Sequence, residues 1–256
     1  MFVKAVGPEP NELSPGFHRR EIEIVSSLPE GVPVPRLLWS YDDEWVVRVL
    51  EDVEGREPSQ PWQADELERV LETADRLERM LTPSPVATEP VGEKLVAGIN
   101  SWHLLRDEPP ATLDEWSLRH LDELVALEAE VAETVVGDTL VHLDIRADNI
   151  LLTDDGRVYF VDWPHAHVGP AWLDAVAFAP SVAMQGGPQP ERVLSRWPGA
   201  SAADPDAVNA ALASVAGFFT HRALLPPPPG LPTLRAFQAA QGEVARRWLR
   251  QRTGLG

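Results

Sequence analysis

The chain of 256 residues contains no cysteine. That excludes a disulfide framework, a thiol nucleophile and a thiolate metal site. Lysine is nearly as scarce: Lys4 and Lys94 are the only two, while arginine is used freely. No apolar run approaches the length of a transmembrane helix, and the N-terminus lacks the basic–apolar pattern of a secretory signal. The expected location is therefore cytoplasmic, with no membrane partner. Positive charge is short overall, with 22 Lys and Arg against 40 Asp and Glu and a formal net charge of −18. Such a chain cannot neutralise a phosphate backbone, so no nucleic acid partner is expected. An acidic surface keeps a protein soluble and would also steer a cationic ligand.

What is present reads as strands at the front and helices behind. Phe2-Val3-Lys4-Ala5-Val6 is a strand with a lysine pointing off it. A helix follows over 18–25, closed by Leu28 before Pro29-Glu30-Gly31. Stretches 36–40 and 44–50 form a hairpin around Tyr41-Asp42-Asp43. From 63 to 81, Leu67, Val70, Leu71, Ala74, Leu77 and Leu81 make a helical stripe, which Pro83 and Pro85 end. Further helices are expected over 96–105, 118–135, 171–184, 190–197, 206–225 and 233–252. The proline run 226–229 before Gly230 is a stiff break. Asp204 and Asp206 suit a helix cap, and Arg246, Arg247, Arg250 and Arg252 suit a helix C-terminus. The length fits one large domain or two small lobes.

The stretch from Val141 to Asp162, VHLDIRADNILLTDDGRVYFVD, carries the chemistry. Strands are expected at 139–141, 149–152 and 158–161, the last two joined by an Asp-Gly turn. The framework carries His142, Asp144, Asn149 and Asp162. Phosphoryl transfer needs such a set: one carboxylate for a hydroxyl proton, and an amide with a second carboxylate for Mg²⁺ against a nucleotide's phosphates. A lone His-x-Asp means little, and an Asp-Gly turn is an ordinary hairpin. A hydrolase reading, with His142 and Asp144 on a metal, leaves Asn149 and Asp162 without roles.

The segment His142-Leu143-Asp144-Ile145-Arg146-Ala147-Asp148-Asn149, followed by Asp162, resembles the aminoglycoside phosphotransferase family. These are small-molecule kinases with a protein-kinase-like fold. The resemblance implies an α+β, bilobal, protein-kinase-like chain. Residues 1–55 would form a truncated N-terminal nucleotide-binding lobe, and 56–256 a larger, mainly helical catalytic and acceptor-binding lobe. It implies Asp144 as the catalytic carboxylate, His142 as the residue that fixes the catalytic loop, and Asn149 and Asp162 as holders of Mg²⁺. In Trp172-Leu173-Asp174, Asp174 would brace the loop from below; a carboxylate on the positive end of a helix dipole is an equal reading, and the two are compatible. Lys4 would hold the phosphates of ATP or GTP, with Glu21 as its partner. Glu51 and Val53 would present hinge backbone to the adenine edge.

The acceptor would be a small-molecule hydroxyl on an amino sugar, sugar, amino alcohol or antibiotic, bound by the last helices. The basic tail departs from the acidic tails of aminoglycoside-modifying members. His165 and His167 read as loop histidines facing solvent or substrate, ahead of an extra metal pair. The family places two strands and a phosphate-covering loop before its lysine strand, whereas here Lys4 lies three residues from the start. The Phe2–Val6 strand is then an open sheet edge, and either a homodimer through it or poor behaviour in solution is expected. The rival reading is a non-catalytic kinase-fold protein with a binding or regulatory role.

Overall fold

The computed structural model describes every residue except Pro10, Asn11 and Pro229. The front of the chain is a small antiparallel sheet with one helix against it. Strand β1 (Phe2–Val6) leads to helix α1 (Ser14–Ser27), then β2 (Leu37–Asp42) and β3 (Val46–Leu50). The strand order is β1-β3-β2, so β3 is central and β1 is an edge. Lys4 pairs directly with Arg48 across β1 and β3. Among the described residues β1 pairs with β3 alone, and its Phe2 and Val3 are 46% and 57% exposed. Helix α1 starts a turn earlier than expected because Pro15 occupies its first turn, where a fixed φ and a missing N–H cost nothing.

The chain then enters a larger helical body through residues 51–55. Helix α2 (Ala64–Met80) buries the stripe read from the sequence. The single helices expected over 96–105 and 118–135 are broken. The first region holds α3 (Val91–Gly98) and α4 (Trp102–Asp107); the second holds α5 (Glu115–Arg119), α6 (Leu121–Ala129) and α7 (Val131–Thr134). The break before α4 has a tertiary cause. Glu128, from α6, accepts hydrogen bonds from the backbone N–H groups of Ser101 and Trp102, and so caps α4 from a distance. No local pattern encodes such a cap.

Strand β4 (Thr139–Val141) is buried. A short 3-10 turn, Ala147–Asn149, precedes the hairpin of β5 (Ile150–Leu152) and β6 (Val158–Phe160). Asn149 thus ends the turn instead of opening the strand. β4 pairs with β7 (His167–Gly169), a strand not expected from the sequence. His167 is therefore a strand residue and not a loop one. Gly169 is needed there, because a Cβ would lie 2.5 Å from Val91 on α3. Helices α8 (Leu173–Met184), α9 (Pro190–Leu194), α10 (Pro205–Ala223) and α11 (Leu234–Thr253) complete the body. Asp204 caps α10 through the N–H of Asp206 at 2.9 Å, as its position suggested. α10 packs on α11, α8 and α6. Of the proline run, Pro229 lies outside the described residues.

Two sets of bonds stitch the front of the chain to the β5–β6 hairpin. Arg56 exchanges backbone hydrogen bonds with Leu152 at 3.0 and 2.7 Å, and Phe160 N–H donates to Pro33 C=O at 2.9 Å. The hairpin therefore faces the cleft between the small sheet and the helical body.

Candidate active site

β4 runs straight into His142, which is fully buried. Its ring lies 4.6 Å from that of Trp163. Nε2 sits 3.0 Å from Val161 C=O, and Nδ1 accepts the Asp144 N–H at 3.2 Å. A nitrogen that accepts carries no proton, so the imidazole is neutral with its proton on Nε2. Burial supports this by lowering the His142 pKa to about 4. His142 thus clamps Val161 on one side and Asp144 on the other.

The next residue, Leu143, has a φ of 64°, a left-handed conformation that costs a non-glycine residue roughly 1–3 kcal/mol. Asp174, at the start of α8, holds it in place. Its two carboxylate oxygens accept the N–H groups of His142 and Leu143 at 2.9 and 2.7 Å. Burial pushes the Asp174 pKa up to about 6, against the pull of those two bonds. Asp174 therefore ties the backbone of His142 and Leu143 to the start of α8.

The loop presents Asp144, whose side chain is 31% exposed. Asn149 Nδ2 donates to both Asp144 C=O at 2.8 Å and Asp144 Oδ2 at 3.0 Å. Arg146 Nε lies 3.6 Å from Asp144 Oδ1 and makes a two-pronged contact with Asp148. Burial raises the Asp144 pKa to about 6, more than Arg146 and Asn149 lower it. Asn149 C=O accepts the Val161 N–H at 3.0 Å, which seats it beside Asp162. Among the described residues nothing donates to Asn149 Oδ1.

Asp162 also takes a left-handed conformation, with φ 63°. Its Oδ1 meets Lys4 Nζ, with Arg48 Nη2 at 3.5 Å. Burial alone would raise its pKa, but the Lys4 hydrogen bond and the charges of Lys4 and Arg48 hold it below the usual carboxylate range. Asp162 is thus a charged oxygen donor held by Lys4 and Arg48.

The expected Lys4–Glu21 pair is not formed. Glu21 Oε2 instead contacts Arg48 Nη1 at 2.5 Å, both side chains being buried, while Lys4 turns to Asp162. The cause is the sheet register: Lys4 and Arg48 stand side by side, so two cations compete for two carboxylates. Burial pushes Glu21 up to about 7, even with Arg48 beside it. Arg48 was missed from the sequence. Its signal was there: in Val46-Val47-Arg48-Val49-Leu50 the arginine shares the inward phase with Val46 and Leu50.

These residues separate two cavities. One, of about 330 Å³, is lined by Lys4, Glu21, Glu51, Val53, Leu151 and Asp162, among others. Glu51 spends its N–H on Arg36 C=O at 2.8 Å, while among the described residues no hydrogen bond engages the Val53 backbone. The other, of about 270 Å³, is lined by Asp144, Arg146, His165 and residues of α10 and α11. His165 and His167 part company, His167 lining a shallow surface hollow with Arg20 and Thr88. Among the described residues no cluster of three His, Asp or Glu could hold a metal ion.

The family model of the APH phosphotransferase enzyme family matches residues 8–211. No curated protein matches the chain. An aminoglycoside phosphotransferase from Alicyclobacillus acidocaldarius superposes with a TM-score of 0.62 at 17% identity, over 98% of this chain and 85% of that one. A choline kinase from Streptococcus pneumoniae gives 0.59 at 14% identity, over 97% and 85%. A thermostable mutant of an aminoglycoside phosphotransferase, held in a ternary complex with ADP and hygromycin B, gives 0.56 at 15%, over 92% and 82%. Identities this low speak for the fold alone, which is α+β and protein-kinase-like; the family match speaks for more. The chain belongs to the APH phosphotransferase enzyme family.

Proposed function

We propose that this chain transfers the γ-phosphoryl group of ATP or GTP to a hydroxyl of a small molecule. The observation that carries the reading is the position of Asp144. It lines the cavity under α10 and α11, while Lys4 and Asp162 line the cavity toward the hinge. A hydroxyl in the first cavity and a triphosphate in the second would meet at the Asp144 loop.

At pH 7 Asp144, with a pKa of about 6, is mostly ionised and able to take or orient the hydroxyl proton. Asn149 fixes its carboxylate through the 3.0 Å bond to Oδ2. His142 and Asp174 position the loop and touch no substrate. Lys4 and Arg48 supply positive charge beside Asp162, where phosphate charge would be held. The Val53 backbone, unengaged among the described residues, is available to an adenine edge. Asn149 Oδ1 and the Asp162 carboxylate are hard oxygen donors of the kind Mg²⁺ takes together with phosphate oxygens, and a bound Mg²⁺ would neutralise phosphate charge. Most of the rate would come from positioning and charge stabilisation. The open edge of β1 adds an expected homodimer, with light scattering as its check; a single-chain mass retires it.

A non-catalytic kinase-fold protein remains the rival. It gives no reason for Asp144, Asn149 and Asp162 to stand together in hydrogen-bonded order. The deciding experiment is thermal stabilisation by ATP and GTP, with and without Mg²⁺, on this chain and on Asp162→Ala. A ligand at a hundredfold its Kd should add about 2.7 kcal/mol. A Mg²⁺-dependent shift lost in the variant supports the proposal. No shift with either nucleotide overturns it.

A further inference from the structure

The cavity beside Asp144 has a chemistry of its own. Its walls are mainly apolar, with Phe218, Phe219 and Phe237 supplied by α10 and α11. The guanidinium of Arg146 lies over the Phe237 ring, 5.4 Å from its centroid. Two cations, Lys94 and Arg146, line the cavity against one carboxylate, Asp144. Arg146 is already engaged by Asp148 and Asp144. Exposed Lys94, on α3, makes no ion pair among the described residues. Gln241 is 1% exposed, and its Oε1 is buried with no hydrogen-bond partner. Its Nε2 reaches Ala177 C=O at 3.4 Å. That oxygen, being buried, is not offered to the cavity, so the polar part of the lining is set by Lys94, Arg146, His165 and Asp144.

From this lining we infer that the acceptor is a hydroxyl compound with an apolar, aromatic-sized body and no positive charge, preferably one carrying an anionic group for Lys94. The inference rests on the proposed phosphotransferase reading for its word acceptor, but not for its prediction of binding. A polycationic amino sugar would meet Lys94 and three phenylalanines, with Asp144 as its only counter-charge and that carboxylate already facing Arg146. The cavity lining, two cations to one carboxylate, therefore runs against the net charge of the whole chain, −18. Global charge acts on the approach of a ligand, while lining residues decide what stays.

The test uses three probes with one aromatic body and different charge: 4-hydroxyphenylacetate, tyrosol and tyramine, with tobramycin as a polycation. Binding is read by calorimetry and ligand-observed NMR, neither of which requires turnover. Tyrosol and 4-hydroxyphenylacetate should bind, the anion more tightly, and tyramine at least tenfold more weakly than the anion. Lys94→Gln, an exposed change that leaves the core intact, should remove the anion's advantage and leave tyrosol unaltered. Phe237→Ala should weaken tyrosol and 4-hydroxyphenylacetate alike. Tighter binding of tyramine or tobramycin than of tyrosol overturns the inference, as does no binding by any probe or indifference to Phe237→Ala. Nucleotide stabilisation is measured on the same samples. Probes that bind without any nucleotide shift would sink the phosphotransferase reading and leave the cavity's preference standing.

Discussion

The two cavities on either side of Asp144 are built on opposite plans. Toward the hinge, charge is dense and mutually paired: Lys4 on Asp162, Arg48 on Glu21, with Arg48 also near Asp162. Under α10 and α11, charge is sparse and the walls are aromatic. A triphosphate demands fixed charges, and fixed charges in a half-buried place need partners to hold them. An acceptor demands shape, and shape comes from packed apolar side chains. The same loop serves both sides because Asn149 ties Asp144 to the strand that ends at Asp162.

The sharpest way to separate the two sides is Asp144→Ala. Transfer should fall by about 10²–10⁴, while nucleotide stabilisation persists; unchanged turnover would end the assignment. Next in size comes the charged side. Arg48→Met leaves Glu21 buried without its cation and should destabilise the fold by about 3–5 kcal/mol, read by denaturant unfolding. Adding Glu21→Gln should restore most of that loss, and no restoration would mean that Arg48 acts through packing alone. Asp174→Asn turns one acceptor into a donor facing a backbone N–H. It should cost about 1–3 kcal/mol and lower kcat more than it raises the KM of the acceptor. The smallest effect is in pH. Asp144, raised to about 6, loses its capacity to accept a proton as pH falls through that value, so transfer should rise from pH 5 and level off above 7. A flat profile over that span would remove Asp144 as the base.

The grouping of His142, Asp144, Asn149 and Asp162 was legible because these residues are close in sequence. His142, Asp144, Asn149 and Asp162 fall within one loop and one hairpin, and local turn chemistry brings them together. Asp174 lies thirty-two residues beyond His142, and only the fold shows its two hydrogen bonds to the backbone of His142 and Leu143. The Lys4–Glu21 pair was misread for the opposite reason. It depends on which residue of β3 stands opposite Lys4, and strand register across forty-four residues is not written in either strand alone. The helix break at Ser101 failed likewise, since the cap from Glu128 is a contact at long range. β7 escaped notice because three residues with a histidine and a glycine carry almost no strand signal.

The sequence by itself determined the absence of thiol chemistry, the strand-then-helix order, the inward stripe of α2 and the grouping of His142, Asp144 and Asn149 on one loop, all of which depend on composition or on neighbours a few residues apart. Only the tertiary structure decided that Arg48 takes Glu21, that Lys4 takes Asp162, and that phenylalanines of α10 and α11 enclose the space in front of Asp144. Those outcomes depend on sheet register and helix packing, where residues distant along the chain compete for the same partner, and no local pattern ranks the competitors.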